Sequence, residues 1–184
     1  TILAYKNIDD SHKERHITFL KNLHNYFIDE NNNLYVHAGF SNLKGVAFEY
    51  HETAFYWDRT LWEVALALNP NLSTASNLYP KRLKLYNQIF IGHTPVTQIN
   101  EKTPVSFANI WNIDTGAAFN GKLSIMDIDT KYFWQSDFLK NLYPNVVTMI
   151  NLDMIGRLDK DKSLTVGGIG TAPEFSTIIT KNKP

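Results

Sequence analysis

Two short apolar segments of this sequence each run directly into a histidine beside a glycine. The first is Leu34-Tyr35-Val36 followed by His37-Ala38-Gly39, and the second is Gln88-Ile89-Phe90-Ile91 followed by Gly92-His93. Both segments are rich in residues that favour β-strands. The end of a strand holds the residue that follows it in a fixed position. The adjacent glycine lets the backbone turn sharply and leaves room for a ligand. The pattern predicts neighbouring strands that direct both imidazoles into one cleft at a sheet edge.

A metal site at His37 and His93 is one interpretation of this pattern, because neutral imidazole is a good ligand for zinc, iron and related metals. The alternative is that each is a hydrogen-bonded loop residue, the commoner role of a single histidine after a strand. The sequence has no cysteine, which excludes disulfides and thiolate metal sites. The other histidines are interpreted as solvated or loop residues: His12, His16, His24 and His51.

Charge and hydropathy exclude some classes of partner. Lys+Arg and Asp+Glu number 18 each, so the formal net charge is zero. This balance argues against a broad basic surface for nucleic acid or anionic membrane. No apolar run approaches the length of a membrane span, and the first residues lack a signal-peptide pattern. We therefore expect no nucleic-acid or membrane partner and a cytoplasmic location.

Helical periodicity appears in two places. Ser11-His12-Lys13-Glu14 is a capping-box pattern, and it predicts a helix over about 12–27. A second helix is expected over 59–68, where Asn69-Pro70 ends it. The apolar residues at helical spacing in the first segment are Ile17, Leu20, Leu23 and Phe27, and those in the second are Leu61, Val64, Ala65 and Leu68.

Further strands are predicted in the second half of the chain. One covers 111–114, and another covers 122–129 after the hairpin turn signal Asn120-Gly121. Residues 132–134 are expected to extend the sheet. Short strands dominate, with helices between the early ones, which favours a layered α/β (α+β) domain over a helical bundle.

Four motifs occur in a fixed order: His37-Ala38-Gly39, Trp57-Asp58-Arg59, Gly92-His93-Thr94-Pro95 and Asn112-Ile113-Asp114-Thr115-Gly116-Ala117. Together they resemble the C-terminal half of bacterial serine/threonine protein phosphatases of the calcineurin-like metallophosphoesterase superfamily. The resemblance covers residues 1–144. It implies part of a β-sandwich flanked by helices, and a phosphorylated protein or small phosphoester as substrate.

The resemblance also implies roles for single residues. His37 and His93 are similar to the histidine ligands of the second of two metal ions, commonly manganese, iron or zinc, which activate a water that attacks phosphorus. Arg59 resembles an arginine that grips the phosphate; a surface charge that opens a helix is the alternative. Asp114 is expected to be structural and to support the loop near His93.

Three earlier motifs of that family are missing in context: Asp-x-His, Gly-Asp-x-x-Asp-Arg and Gly-Asn-His-Glu. Asp10-Ser11-His12 has the first spacing, but no strand precedes it and Ser11 is better explained as a helix cap. These motifs would supply the first-metal ligands and the catalytic histidine. We therefore expect the chain to start after them, to hold one metal or none, and to show little or no phosphatase activity alone. The alternative is a non-catalytic phosphatase-like module that binds a phosphorylated partner.

Residues 145–184 resemble a fragment of a different enzyme, a zinc aminopeptidase with a co-catalytic metal pair. The resemblance rests on Asn151-Leu152-Asp153-Met154-Ile155-Gly156 and on a glycine-rich turn at 167–170. Asp153 is similar to a zinc ligand of those enzymes. No His-x-Asp and no adjacent Glu pair accompanies it. We expect a short β-rich extension or joined fragment without an assembled peptidase site.

Overall fold

The computed structural model describes residues 8–138, so the predictions for Asp153 and for 145–184 lie outside the described residues. The main feature is a five-stranded mixed sheet. Its strands are β1 Tyr26–Ile28, β2 Leu34–Val36, β3 Ile89–Ile91, β4 Val105–Phe107 and β5 Ile110–Asn112, in the spatial order β1-β2-β3-β5-β4.

The three central strands, β2, β3 and β5, run parallel, and β1 and β4 pair antiparallel at the two edges. Leu34 pairs with Ile89, and Ile89 pairs with Ile110, so the three strands start level. Residues that follow parallel strands emerge at the same edge of the sheet, where open α/β sheets place their ligands. The sheet therefore gathers the segments after residues 36, 91 and 112.

One face of this sheet carries the hydrophobic core. The α-helices within residues 8–138 are α1 Asp10–Lys21, α2 Ala54–Trp57 and α3 Thr60–Ala67, and of these α2 and α3 contribute residues to the core. Alternate strand residues meet α3 and the long β2–β3 connection, because side chains of a strand alternate between faces. The core cluster consists of Leu34, Val36, Phe40, Val46, Phe55, Leu61, Trp62, Ala65, Tyr79, Leu83, Tyr86, Ile89, Ile91 and Ile110.

Aromatic rings line the other face. Tyr35 stacks on Phe90 with ring centroids 5.0 Å apart and 7° between the planes. The Lys131 ammonium lies over the rings of Phe90 and Trp111, at 5.1 and 5.8 Å from their centroids. Lys131 lies between β6 Ser124–Met126 and β7 Phe133–Gln135, which form a separate two-stranded sheet. The cation–π contacts join this small sheet to the large one.

The structure confirms the mixed α/β class and most of the predicted strands, with differences in extent. The strand predicted over 122–129 is shorter, because Asp127 accepts hydrogen bonds from the amides of Asp129 and Thr130 and turns the chain. Phe133 and Trp134 lie in β7, which pairs with β6, so the predicted extension belongs to a two-stranded sheet and not to the five-stranded one. The edge strands β1 and β4 were not predicted.

The predicted first helix is correct in position but wrong at both ends. Its N-cap is Asp9, whose carboxylate accepts from the His12 amide at 3.0 Å. Ser11 instead donates its hydroxyl to Asp9 at 2.7 Å, so the residue predicted as the cap supports the actual cap. The helix ends at Lys21, and Phe27 lies in β1.

The apolar stripe of α1 is not covered within residues 8–138. Ile17 and Leu20 are 48% and 43% exposed, and the helix contributes no buried residue. By contrast α3 matches its prediction of 59–68, with Leu61 and Ala65 in the core. Across the described residues, none of the helices combines the length and apolar character needed to cross a bilayer.

Candidate functional site

The two strand-end histidines meet at the edge of the sheet. His37 follows β2, and its carbonyl accepts from the Gly92 amide at 2.9 Å, which continues the β2–β3 pairing past the strands. Nε2 of His37 then lies 3.2 Å from Nδ1 of His93, and the ring centroids are 5.1 Å apart. Neighbouring strands thus bring both rings to one place, as the sequence predicted.

The sharp turn after β3 occurs at the histidine itself. His93 has a φ of 63°, which lies in the left-handed region of backbone conformation. Residues other than glycine adopt this region only at a cost in free energy. The Thr94 amide donates to the Gly92 carbonyl at 2.7 Å and closes the turn. Neither Gly39 nor Gly92 has a positive φ. The prediction that an adjacent glycine supplies the sharp turn is therefore wrong.

Gly39 serves close packing instead. A Cβ at this position would lie 2.5 Å from Oδ2 of Asp58 and 3.1 Å from Cβ of Leu61. Only a glycine leaves room for the carboxylate here. The glycine of the first motif and the aspartate of the second are therefore in direct contact.

Trp57 is a neighbour of His93 that sequence reasoning did not assign to the site. It is the last residue of α2, and its side chain is 69% exposed. Its ring lies edge-on to that of His93, with centroids 5.3 Å apart and 87° between the planes. The sequence signal available for this role was the presence of a tryptophan in the Trp57-Asp58-Arg59 motif.

The loop that carries His93 is held from β5. The fully buried side chain of Asn112 donates to the Thr94 carbonyl at 2.8 Å. The backbone carbonyl of Asp114 accepts from the Val96 amide at 2.8 Å, whereas its carboxylate accepts from Gly116 at 2.9 Å. Asp114 thus contacts this loop through its backbone, and Asn112 contacts it through a side chain that sequence reasoning did not assign to the site.

Two arginines lie on the segment between the histidines. Arg59 is the exposed N-terminal boundary residue of α3. Arg82 was not singled out from the sequence, yet its guanidinium is mostly buried, and it donates to the Phe40 carbonyl at 2.7 Å. No short motif surrounds Arg82, so its role was visible only once the fold brought residues 40 and 82 together.

The facing nitrogens of His37 and His93 are within hydrogen-bonding distance of each other, and their separation also matches that of two ligands of one metal ion. Imidazole nitrogens bind zinc at about 2.0–2.1 Å, and two of them roughly 100° apart around an ion are about 3.2 Å from each other. The observed Nε2–Nδ1 separation is 3.2 Å. Within residues 8–138, no group of three His, Asp or Glu side chains is arranged to hold an ion. These residues therefore offer a two-nitrogen site.

Comparison with known proteins gives no family for this chain. No protein-family model matches the sequence, and no curated protein is significantly similar to it. The functional interpretation therefore depends on the residues and geometry of the site.

Proposed function

We propose that His37 and His93 form part of a divalent-metal site for phosphomonoester hydrolysis of the calcineurin-like metallophosphoesterase type. The supporting observation is that two imidazole nitrogens, 56 positions apart in sequence, lie 3.2 Å from each other at the ends of parallel strands. A bound manganese, iron or zinc ion would supply a Lewis acid and a water activated for attack on phosphorus.

In this proposal the residues of the chain have distinct tasks. His37 and His93 would hold the ion through their facing nitrogens, Nε2 and Nδ1. Trp57, edge-on to His93, excludes water from one side of that ring. Arg59 begins α3 two positions after Trp57, and its forked guanidinium binds the phosphoryl oxygens of a phosphorylated protein or small phosphoester. Asn112 fixes the His93 loop through Thr94.

The proposal also predicts a limit on activity. Two neutral nitrogens neutralise none of the charge of a divalent ion, and the described residues add no carboxylate to them. Any further ligands are expected to be water or groups from outside residues 8–138. The chain alone is therefore expected to bind one ion weakly and to hydrolyse phosphoesters slowly or not at all.

Cobalt binding tests the proposal directly, since Co²⁺ reports its nitrogen ligands by visible absorption. We expect His37→Ala and His93→Ala each to lower Co²⁺ affinity by at least about tenfold, the scale seen when the surroundings of a metal site are altered. His24→Ala, at an exposed position, is the matched control and should bind Co²⁺ like the wild type. Co²⁺ binding that survives both site substitutions would overturn the proposal.

Hydrolysis of 4-nitrophenyl phosphate with Mn²⁺ tests the predicted limit. We expect a rate close to the uncatalysed background for the 184-residue chain. A rapid, His37-dependent release of nitrophenol would show that the chain is a competent enzyme and that the limit is wrong.

The second candidate is a phosphatase-like module that binds a phosphorylated partner without hydrolysing it. It is favoured by the lack of a third His, Asp or Glu beside the pair within residues 8–138. Binding of a phosphoserine peptide in the presence of a chelator, unchanged in His37→Ala, would favour this module over the metal site.

A further inference from the structure

The carboxylate of Asp58 has two kinds of contact. It caps α3, because its oxygens accept from the Thr60 amide at 3.2 Å, the Thr60 hydroxyl at 2.7 Å and the Leu61 amide at 3.1 Å. Its Oδ2 also lies 3.6 Å from Nη1 of Arg82, and the two side chains are only 8% and 12% exposed. A helix cap alone requires neither this burial nor an arginine.

The Asp58–Arg82 pair lies against the segment that follows His37. Oδ2 of Asp58 fills the space that a side chain at Gly39 would need. Nη1 of Arg82 donates to the carbonyl of Phe40, the next residue, at 2.7 Å. The pair therefore fixes the backbone two and three residues after the candidate ligand.

The same pair fixes the segment that carries Trp57. Asp58 follows Trp57 directly, and its amide donates to the Ala54 carbonyl at 3.0 Å, at the end of α2. The Ala38 amide donates to the Phe55 carbonyl at 2.8 Å and ties α2 to the residue after His37. The His37 segment and the Trp57 segment are thus joined at one buried ion pair.

We infer that Asp58 and Arg82 are positioning residues of the candidate site. Their ion pair holds the His37 segment against the Trp57 segment and so sets the His37–His93 separation and the ring contact of Trp57 with His93. The metal-affinity part of this inference rests on the proposed function, whereas the ring geometry does not. A buried pair that merely stabilises the fold would change unfolding without changing either property.

Three variants separate these roles. Arg82→Met removes the charge. Arg82→Lys keeps the charge but replaces the planar guanidinium, whose Nη1 contacts both Asp58 and Phe40, by an ammonium on a flexible stem. Asp58→Ser keeps a good helix cap without the ion pair. Lys81→Met, at an exposed position in the same 3₁₀ turn, is the control. The ring geometry is measured from the indole N–H signal of Trp57 in ¹H–¹⁵N spectra, assigned with Trp57→Phe. The buried Trp62 reports whether the core remains folded.

We expect Arg82→Met and Asp58→Ser to shift the Trp57 signal, to leave that of Trp62 unchanged, and to lower Co²⁺ affinity by about tenfold or more, as substitutions of residues that orient metal ligands do. Arg82→Lys should recover part of both effects, and Lys81→Met should show neither. If all variants keep the Trp57 signal and Co²⁺ affinity of the wild type while unfolding at lower urea, the inference is wrong. If the wild type binds no Co²⁺ but the Trp57 signal still shifts, the proposed function fails and the positioning role stands.

Discussion

The indole of Trp57 meets the imidazole of His93 almost at a right angle, with ring centroids 5.3 Å apart. An ion bound by His93 would therefore lie close to the indole of Trp57, which is exposed and fluorescent. We expect Ni²⁺ to quench tryptophan emission in the wild type and much less in Trp57→Phe, in which Trp62, Trp111 and Trp134 remain. Fluorescence titration measures this. Equal quenching in both proteins would place the bound ion away from His93.

The left-handed backbone of His93 predicts an unusual order of stabilities. A left-handed conformation costs a residue with a side chain about 1–2 kcal/mol, and glycine avoids most of this cost. We expect His93→Gly to be more stable than His93→Ala by about 1 kcal/mol in urea unfolding, with His93→Asn between them, because asparagine tolerates this region.

Asn100 provides the control for this order, because its φ is also 63° but it ends a 3₁₀ turn. The glycine variant at position 100 should likewise be more stable than the alanine variant. If Gly exceeds Ala at position 100 but not at position 93, the turn at His93 is not left-handed in solution.

The contact between Gly39 and Asp58 predicts a coupled pair of substitutions. Gly39→Ala places a Cβ 2.5 Å from the carboxylate and should cost roughly 2 kcal/mol, as overpacking does. In an Asp58→Ser background the cost should fall by about 1 kcal/mol, because serine is shorter. The cost of Gly39→Ala should not vanish in this background, since the new Cβ still lies 3.1 Å from Cβ of Leu61. Additive costs in urea unfolding would mean that the two residues do not touch.

Asp29 predicts an acid-dependent part of the stability. Burial raises its pKa, but hydrogen bonds from Asn33, Tyr35 and Asn31 outweigh burial, and the net pKa lies below the ordinary value of 3.8. A lowered pKa stabilises the folded state above pH 3.8, and this contribution is lost as the pH falls through the folded-state value. Asp29→Asn should therefore be less stable than the wild type at pH 7, and the difference should shrink towards pH 2.

Urea midpoints measured between pH 7 and pH 2 check this prediction. Glu30→Gln removes the same formal charge at the next, exposed position and serves as the control. A difference between wild type and Asp29→Asn that stays constant with pH would show that the carboxylate is not held by these hydrogen bonds.

The parts of the fold that follow from local chemistry were predictable. The buried strands at 34–36 and 89–91 are apolar runs with β-branched and aromatic residues, and their ends position His37 and His93. The edge strand β1 carries the same signal in Tyr26–Ile28, and it was missed because Phe27 had been assigned to the preceding helix. The edge strand β4 was missed because Ser106 interrupts its short apolar run. The apolar residues at helical spacing predicted the helix α1 but not its packing. Such a periodicity shows that one face of a helix is apolar, but it does not show which residues pack against that face.

The supporting contacts of the site were not predictable, because they join residues that are distant in sequence. Asp58 meets Gly39, Arg82 meets Phe40, and neither pair has a spacing that a motif could reveal. Asn112 lies in a motif that the sequence did show, but its bond to Thr94 depends on β3 and β5 being neighbours. The sequence pattern pointed to the two histidines, and the topology gave their partners.

The parallel pairing of β2 with β3 has a consequence for folding. His37 and His93 are 56 positions apart, so their contact forms only after a long loop has closed, which costs entropy and slows folding. An ion held by both rings is a reversible cross-link across that loop. Under the proposed function, an ion that binds only the folded chain would oppose separation of the two strands and so stabilise the fold.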